Sequence, residues 1–143
     1  MIEKQIYLAG KMSGISYEES NDWRTLITEM FKEIDTNYKI KCINPNDYYN
    51  FLDDSIYDSQ QEIMDYDLHR VKHSDLVVVD LRYDSFGTAM EIFYAHRILG
   101  IPVIGIYFDG INEFTHPWVE RCVNKKLSNL LEAVDYVEHY YLS

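Results

Sequence analysis

The sequence feature that most constrains the fold is the segment from Asp75 to Leu81, which reads DLVVVDL and has four consecutive apolar residues at its centre. A strand with one face in water alternates apolar and polar residues, whereas this run does not alternate. Strands that are apolar on both faces are typical of parallel sheets covered by helices. The run therefore predicts a central parallel strand in an α/β protein.

Strand and helix patterns alternate along the rest of the chain. Short apolar segments predict further strands at residues 5–9, 39–43 and 101–106. Apolar residues at helical spacing predict helices over 17–35, 59–73, 86–99 and about 125–140. This order predicts a doubly wound parallel sheet of four to five strands between two helical layers. The 143 residues predict one domain, 1–143.

Charge and cysteine usage exclude several classes of partner. The chain has 13 Lys and Arg against 24 Asp and Glu, a formal net charge of −11. Such a surface repels phosphate backbones and anionic membranes, so we expect no nucleic-acid polymer and no membrane as partner. The start of the chain lacks a signal-peptide pattern, which predicts a cytoplasmic protein. The two cysteines and five histidines show no ligand spacing, so no metal and no cofactor are predicted.

Ligands of doubly wound sheets bind beyond the carboxyl ends of the strands. The connections that follow the predicted strands should therefore meet around one crevice. They span residues 10–16, 44–57, 82–88 and 107–118.

The third connection carries the most distinctive carboxylate. The segment from Asp84 to Glu91 reads DSFGTAME and places Glu91 about one turn inside a helix that starts at the crevice. Gly87 permits a close approach by a ligand. A carboxylate in this position can attack an electrophilic carbon and be displaced again, as in covalent glycosidic catalysis. Alternatively, Glu91 only interacts favourably with the helix dipole.

Three segments together resemble the nucleoside 2-deoxyribosyltransferase family over nearly the whole chain. They are Tyr7-Leu8-Ala9-Gly10, Ser85-x-Gly87-x-x-x-Glu91 and Ile101-Pro102-Val103-Ile104. The resemblance implies a flavodoxin-like fold and a homo-oligomer, a dimer or larger, with shared active sites. It implies transfer of deoxyribose from a 2'-deoxynucleoside to a free nucleobase, with a glutamate nucleophile that Glu91 matches.

The resemblance also assigns catalytic roles to Tyr7 and Asp67. Tyr7 matches the tyrosine that orients the nucleophile, and Asp67 matches the aspartate that exchanges a proton with the base. A strand tyrosine bonded to backbone and a solvated helix aspartate are the alternatives. The residue pattern leaves open whether Asp65 or Asp67 faces inward.

One position departs from the transferase pattern. Six residues before the nucleophile, where the family carries an aspartate that holds the 5'-hydroxyl, this chain has Ser85, with Asp84 one residue earlier. Serine there resembles the related 2'-deoxynucleoside 5'-monophosphate N-glycosidases, because a hydroxyl can donate to a phosphate that a carboxylate would repel. The first connection also offers phosphate-binding groups, although a flexible turn explains it equally well. The residues concerned are Gly10, Lys11, Ser13 and Gly14.

Two more positions match substrate-binding sites of the family. His116 matches a polar residue lent to the neighbouring subunit, and Asp47 lies where family members wall the base pocket, although turn chemistry also explains Asp47. Trp118 is predicted to anchor its loop by burial. A transferase, a hydrolase of monophosphates and a catalytically idle nucleotide-binding module all remain open at this point.

Overall fold

The computed structural model of the protein describes residues 1–48, 60–108 and 116–143. The strands in these ranges are β1 (Glu3–Ala9), β2 (Lys39–Ile43), β3 (Leu76–Asp80), β4 (Val103–Ile106) and β5 (Lys125–Leu127). The α-helices are α1 (Tyr17–Lys32), α2 (Gln60–Lys72), α3 (Phe86–Phe93), α4 (Pro117–Glu120) and α5 (Leu130–Tyr140). A 3-10 turn spans Pro45–Asp47, and Tyr94–Ile98 continues α3 as a π-helical segment.

The strands form one five-stranded sheet in the order β2-β1-β3-β4-β5, and every neighbouring pair is parallel. This is a flavodoxin-like α/β fold, so the predicted doubly wound sheet is confirmed. β3 pairs with β1 and β4, with Val77 opposite both Tyr7 and Val103. Its central place explains why its sequence is apolar without alternation.

Alternate residues of β1 face the two opposite helical layers. Ile6 and Leu8 pack with Trp23 of α1 and Val134 of α5. Tyr7 and Ala9 lie on the other face, in a cluster that includes Val71 of α2 and Ile92 of α3. Burying a side chain of this kind stabilises the fold by about 1.5–3 kcal/mol. For the site, the consequence is that Tyr7 faces the layer formed by α2 and α3.

The predicted last helix, about 125–140, is wrong at its start. Lys125–Leu127 instead form β5, which pairs with β4 and places Leu127 opposite Ile106. The helix begins after Asn129, whose side chain accepts a hydrogen bond from the backbone N–H of Glu132 at 2.9 Å. The apolar spacing of Leu127 fits either structure, and the open edge of β4 decides between them.

Helix ends differ less from the predictions. The first helix stops at Lys32, three residues before the predicted end, and the predicted helix over 86–99 changes to π-helical geometry at Tyr94. Among the described residues, no helix combines the length and apolar character that crossing a bilayer requires.

Candidate active site

The first part of the site is a contact between β1 and α3. The Tyr7 hydroxyl donates a hydrogen bond to Oε2 of Glu91. Strand alternation aims Tyr7 at α3, and Ser85 starts α3 by accepting a hydrogen bond from the backbone N–H of Thr88 at 3.2 Å. Glu91 thus lies near the carboxyl ends of two central strands, where ligands of such sheets bind.

The second part of the site comes from α2 and from the segment after β2. Asp67 is half-buried on α2, and the Tyr48 hydroxyl donates to its Oδ1 at 3.0 Å. Asp65 is exposed instead and accepts from the side-chain amide of Gln61 at 2.8 Å. The helix therefore turns Asp67 inward and Asp65 to the surface, a choice that the sequence left open.

A cavity of about 750 Å³ joins these carboxyl groups. Glu91, Asp67 and Gly87 line it, and most other lining residues are apolar. No heavy atom lies within 4 Å of where a Cβ of Gly87 would be, so a ligand can approach the backbone there. The size and lining are typical of small-molecule sites. The apolar lining residues include Ile63, Met64, Leu68, Phe86, Met90, Phe93, Ile98 and Trp118.

The surroundings of Glu91 favour its neutral form. Burial, and next the negative charge of Asp67, raise its pKa to about 8, against lowering by the Tyr7 hydrogen bond and by Arg24. Burial, followed by the charge of Glu91, also raises the pKa of Tyr7 well above its ordinary value. Tyr7 therefore stays a protonated hydrogen-bond donor over the physiological pH range.

Arg24 is a buried cation beside this site. Its hydrogen bonds go to carbonyl oxygens, at 3.1 Å to Leu8 and 3.0 Å to Gly10, and also to Ser20. Its charge therefore acts on Glu91 through space. The same packing explains why residue 10 is a glycine, because a Cβ at this position would come within 3.1–3.2 Å of Asp80, Arg24 and Trp23.

The predicted phosphate-binding residues lie beside one another, outside the cavity lining. The ammonium group of Lys11 donates to the carbonyl oxygen of Asp84 at 3.2 Å, which brings the first and third connections together. Gly14 has a φ of 79°, a left-handed conformation that favours glycine, and Ser13 is exposed. The hydroxyl of Ser85 accepts from α3 and retains its own proton for donation.

Neither His116 nor Asp47 lines the cavity that contains Glu91. His116 is exposed and caps α4 by accepting from the backbone N–H of Trp118 at 3.1 Å, and Asp47 is exposed in the 3-10 turn. The predicted burial of Trp118 is wrong, since its side chain is 78 % exposed. Val119 takes the inward position of this short helix instead.

Sequence reasoning missed Tyr48 and Arg24. Tyr48 begins the Tyr- and Asp-rich stretch 48–57, whose position after a strand was a usable signal, although residues 49–57 lie outside the described ranges. Arg24 stands out as a charged residue between the apolar helix positions Trp23 and Ile27. In the described part of the chain, no three His, Cys, Asp or Glu side chains group closely enough to hold a metal ion.

Solved structures share this fold at low sequence identity. A conserved protein from Enterococcus faecalis V583 has a TM-score of 0.75 and 20 % identity, covering 96 % of this chain and 98 % of that one. A 2-desoxiribosyltransferase from Leishmania mexicana has a TM-score of 0.65 and 15 % identity, covering 97 % and 99 %. A CMP N-glycosidase from Clostridium botulinum has a TM-score of 0.57 and 16 % identity, covering 96 % and 99 %. No protein-family model and no curated protein matches the chain.

Proposed function

We propose that the protein is an enzyme that cleaves the N-glycosidic bond of 2'-deoxynucleosides or their 5'-monophosphates through a covalent intermediate on Glu91. The observation that carries the proposal is the pairing of Glu91, held by Tyr7, with a second carboxyl, Asp67, on one cavity. Two proteins that share the fold are named as a deoxyribosyltransferase and an N-glycosidase, which supports this choice.

In the first step, a carboxylate oxygen of Glu91 bonds to C1' while the bond from C1' to the base nitrogen breaks. The electron pair of that bond goes to the base, which takes a proton from Asp67. Tyr7 orients the attacking carboxylate. Absence of a 2'-hydroxyl favours this step, because that group withdraws electrons from the cation that develops at C1'.

In the second step, an acceptor bonds to C1' and releases Glu91 as a carboxylate. If the acceptor is a nitrogen of a free nucleobase, the enzyme is a deoxyribosyltransferase, and Asp67 takes up the proton that this nitrogen loses. The apolar cavity supports transfer, since it offers flat bases a binding surface.

Hydrolysis of deoxynucleoside 5'-monophosphates is the second candidate function. The contact of Lys11 with Asp84, next to Ser85, favours it, because an ammonium group and a hydroxyl then lie near one end of α3. These are donors suited to a 5'-phosphate. Water would then attack C1', and Asp67 would take its proton.

We also propose that a second copy of the chain covers the cavity and shares the site. Three large apolar side chains at the cavity, Phe86, Met90 and Trp118, are 94 %, 56 % and 78 % exposed. Apolar surface of this kind beside a ligand cavity is typical of an interface. His116, which is exposed and does not line the cavity of its own chain, would reach the neighbouring site in such an oligomer.

A base-release assay tests these proposals together. Wild-type protein is incubated with 2'-deoxyinosine plus adenine, and separately with deoxynucleoside 5'-monophosphates, and products are separated by chromatography. New deoxyadenosine indicates transfer, whereas free base from monophosphates alone indicates hydrolysis. A shared site also predicts that specific activity falls on dilution as oligomers dissociate.

Glu91→Gln should lower base release by at least about 10³-fold, because no nucleophile remains. Asp65→Asn, a change of a carboxyl that faces solvent, is the matched control and should keep wild-type activity. Mass spectrometry of quenched wild-type protein should find deoxyribose on the peptide that contains Glu91. Full activity of Glu91→Gln would refute the proposal, and saturable nucleotide binding without turnover would indicate a binding module.

A further inference from the structure

Arg24 is a fully buried cation whose hydrogen-bond partners are neutral. Its guanidinium donates to the carbonyl oxygens of Leu8 at 3.1 Å and Gly10 at 3.0 Å, and to the carbonyl and hydroxyl oxygens of Ser20. Burial of a charge without an oppositely charged partner is costly, and an apolar side chain of similar volume often stabilises a core as well or better. Stability of the fold alone therefore does not account for an arginine at this position.

The guanidinium joins α1 to the carboxyl end of β1. The two strand-end carbonyl groups that it binds belong to Leu8, which follows Tyr7 directly, and to Gly10, the first residue after the strand. A planar guanidinium holds several acceptors at fixed angles, which the ammonium group of a lysine cannot do. Arg24 therefore fixes the end of β1, and the start of the connection that contains Lys11, relative to α1.

Ser20 extends this contact to the segment after β2. Its hydroxyl oxygen accepts from Arg24 at 3.1 Å and from the side-chain amide of Asn46, in the 3-10 turn, at 3.0 Å. The Asn46 amide also donates to Oδ1 of Asn21 at 3.1 Å, and the amide of Asn44 donates to the same oxygen at 2.8 Å. The turn is thus bound to two consecutive side chains of α1.

The 3-10 turn leads directly into Tyr48. The backbone N–H of Tyr48 donates to the carbonyl oxygen of Pro45 at 3.3 Å, and its hydroxyl donates to Oδ1 of Asp67 at 3.0 Å. Tyr7, on the strand that Arg24 binds, donates to Glu91. One continuous set of hydrogen bonds on α1 therefore connects the two segments whose tyrosines contact the two carboxyl groups of the site.

We propose that Arg24 is a positioning residue for the proposed reaction. With Ser20, it holds the end of β1 and the 3-10 turn at a fixed separation, so that Glu91 and Asp67 face the same bond of the substrate. This inference rests on the proposed function and adds a residue to it. Arg24 is fully buried and outside the cavity lining, so it acts through the segments that it holds and not by touching the substrate.

The test separates geometry from charge and from stability. Base release per folded molecule is measured for Arg24→Met, Arg24→Lys and Ser20→Ala. The matched control is Thr28→Val, since Thr28 also carries a hydroxyl on α1, half-buried and donating to the backbone carbonyl of Arg24 at 2.7 Å. It lies one helical turn beyond Arg24, away from the start of α1.

Loss of positioning should lower kcat and leave KM within about threefold of wild type, because the groups that contact the substrate remain in place. We expect kcat to fall about 100-fold in Arg24→Met and about 10-fold in Ser20→Ala. Arg24→Lys keeps the charge but loses the planar set of donors, so it should lose nearly as much as Arg24→Met. Thr28→Val should keep the wild-type kcat.

Hydrogen exchange measured by mass spectrometry gives a second readout that needs no activity. In Ser20→Ala, peptides that cover residues 9–13 and 44–48 should exchange about fivefold faster than in wild type, whereas the β3 peptide keeps its rate. In Thr28→Val, all three peptides should exchange at the wild-type rate.

Unchanged kcat in both Arg24→Met and Ser20→Ala overturns the inference, as does full recovery of kcat in Arg24→Lys. Equally faster exchange of the β3 peptide also overturns it, since a general loss of stability would then explain the effect. Should the Arg24 variants not fold, Ser20→Ala decides. If wild type releases base from no substrate, the proposed function itself fails, and the exchange pattern alone decides whether this network positions the two segments.

Discussion

Asp80 and Glu91 are two carboxylates at the same edge of the sheet, and their surroundings are opposite. Asp80, at the end of β3, is 2 % exposed and accepts hydrogen bonds at 2.9–3.2 Å from the guanidinium and backbone N–H of Arg82. Glu91 has a neutral phenol as its hydrogen-bond donor, and the cation near it, Arg24, is bonded to carbonyl oxygens.

The difference separates a structural carboxylate from a chemically available one. Asp80 accepts four hydrogen bonds from Arg82, two residues further along the chain, so its charge is compensated whether or not a ligand is present. Burial raises the pKa of Glu91, and its side chain belongs to the lining of the cavity. Substitution of Asp80 should therefore mainly lower stability, whereas substitution of Glu91 should mainly lower activity.

The largest effect on stability should come from Asp80→Asn. The change leaves the Arg82 guanidinium without its ionic partner in a mostly buried place, which should lower the free energy of unfolding by roughly 3 kcal/mol. Base release per folded molecule should stay near the wild-type value. Urea denaturation and the base-release assay measure both, and unchanged stability would contradict the structural role of this pair.

Tyr7→Phe should act mainly on activity. Loss of the hydroxyl removes the donor that lowers the pKa of Glu91, so less of the carboxylate is ionised at neutral pH. We expect kcat to fall about 50-fold at pH 7, equivalent to about 2.3 kcal/mol, and to recover in part at higher pH. A loss that is independent of pH would assign Tyr7 a packing role only.

The pH dependence of stability distinguishes Glu91 from an ordinary surface carboxylate. The pKa of Glu91 is near 8 in the folded protein and near 4.3 in an unfolded chain, so the folded state holds a proton that the unfolded state loses between these values. Wild-type stability therefore falls as pH rises through this window, whereas Glu91→Gln lacks this contribution.

The variant should match wild type near pH 4, and its free energy of unfolding should exceed the wild-type value by about 1.4 kcal/mol more for each pH unit between the two pKa values. Chemical denaturation at several pH values measures the difference. A constant difference across the window would mean that Glu91 titrates normally in the folded protein.

Predictability differed between local and long-range features. The apolar run through Val77–Val79 and the helical spacing of α1 are local patterns, and both predicted their elements closely. Lys125–Leu127 suits a helix locally, and only the open edge of β4 makes it a strand. The residues next to Trp118 in sequence likewise do not indicate that its side chain is exposed, because its exposure depends on how other parts of the fold pack around it.

By itself, the sequence determined the alternation of strands and helices, because hydrophobic periodicity is a property of residues close together in the chain. The alternation in turn predicted the parallel sheet and the sheet edge at which ligands bind. Tertiary structure alone decided that Asp67 rather than Asp65 turns inward and that Tyr48 meets it. Those contacts join residues far apart in the chain, and their geometry depends on how whole helices pack on the sheet.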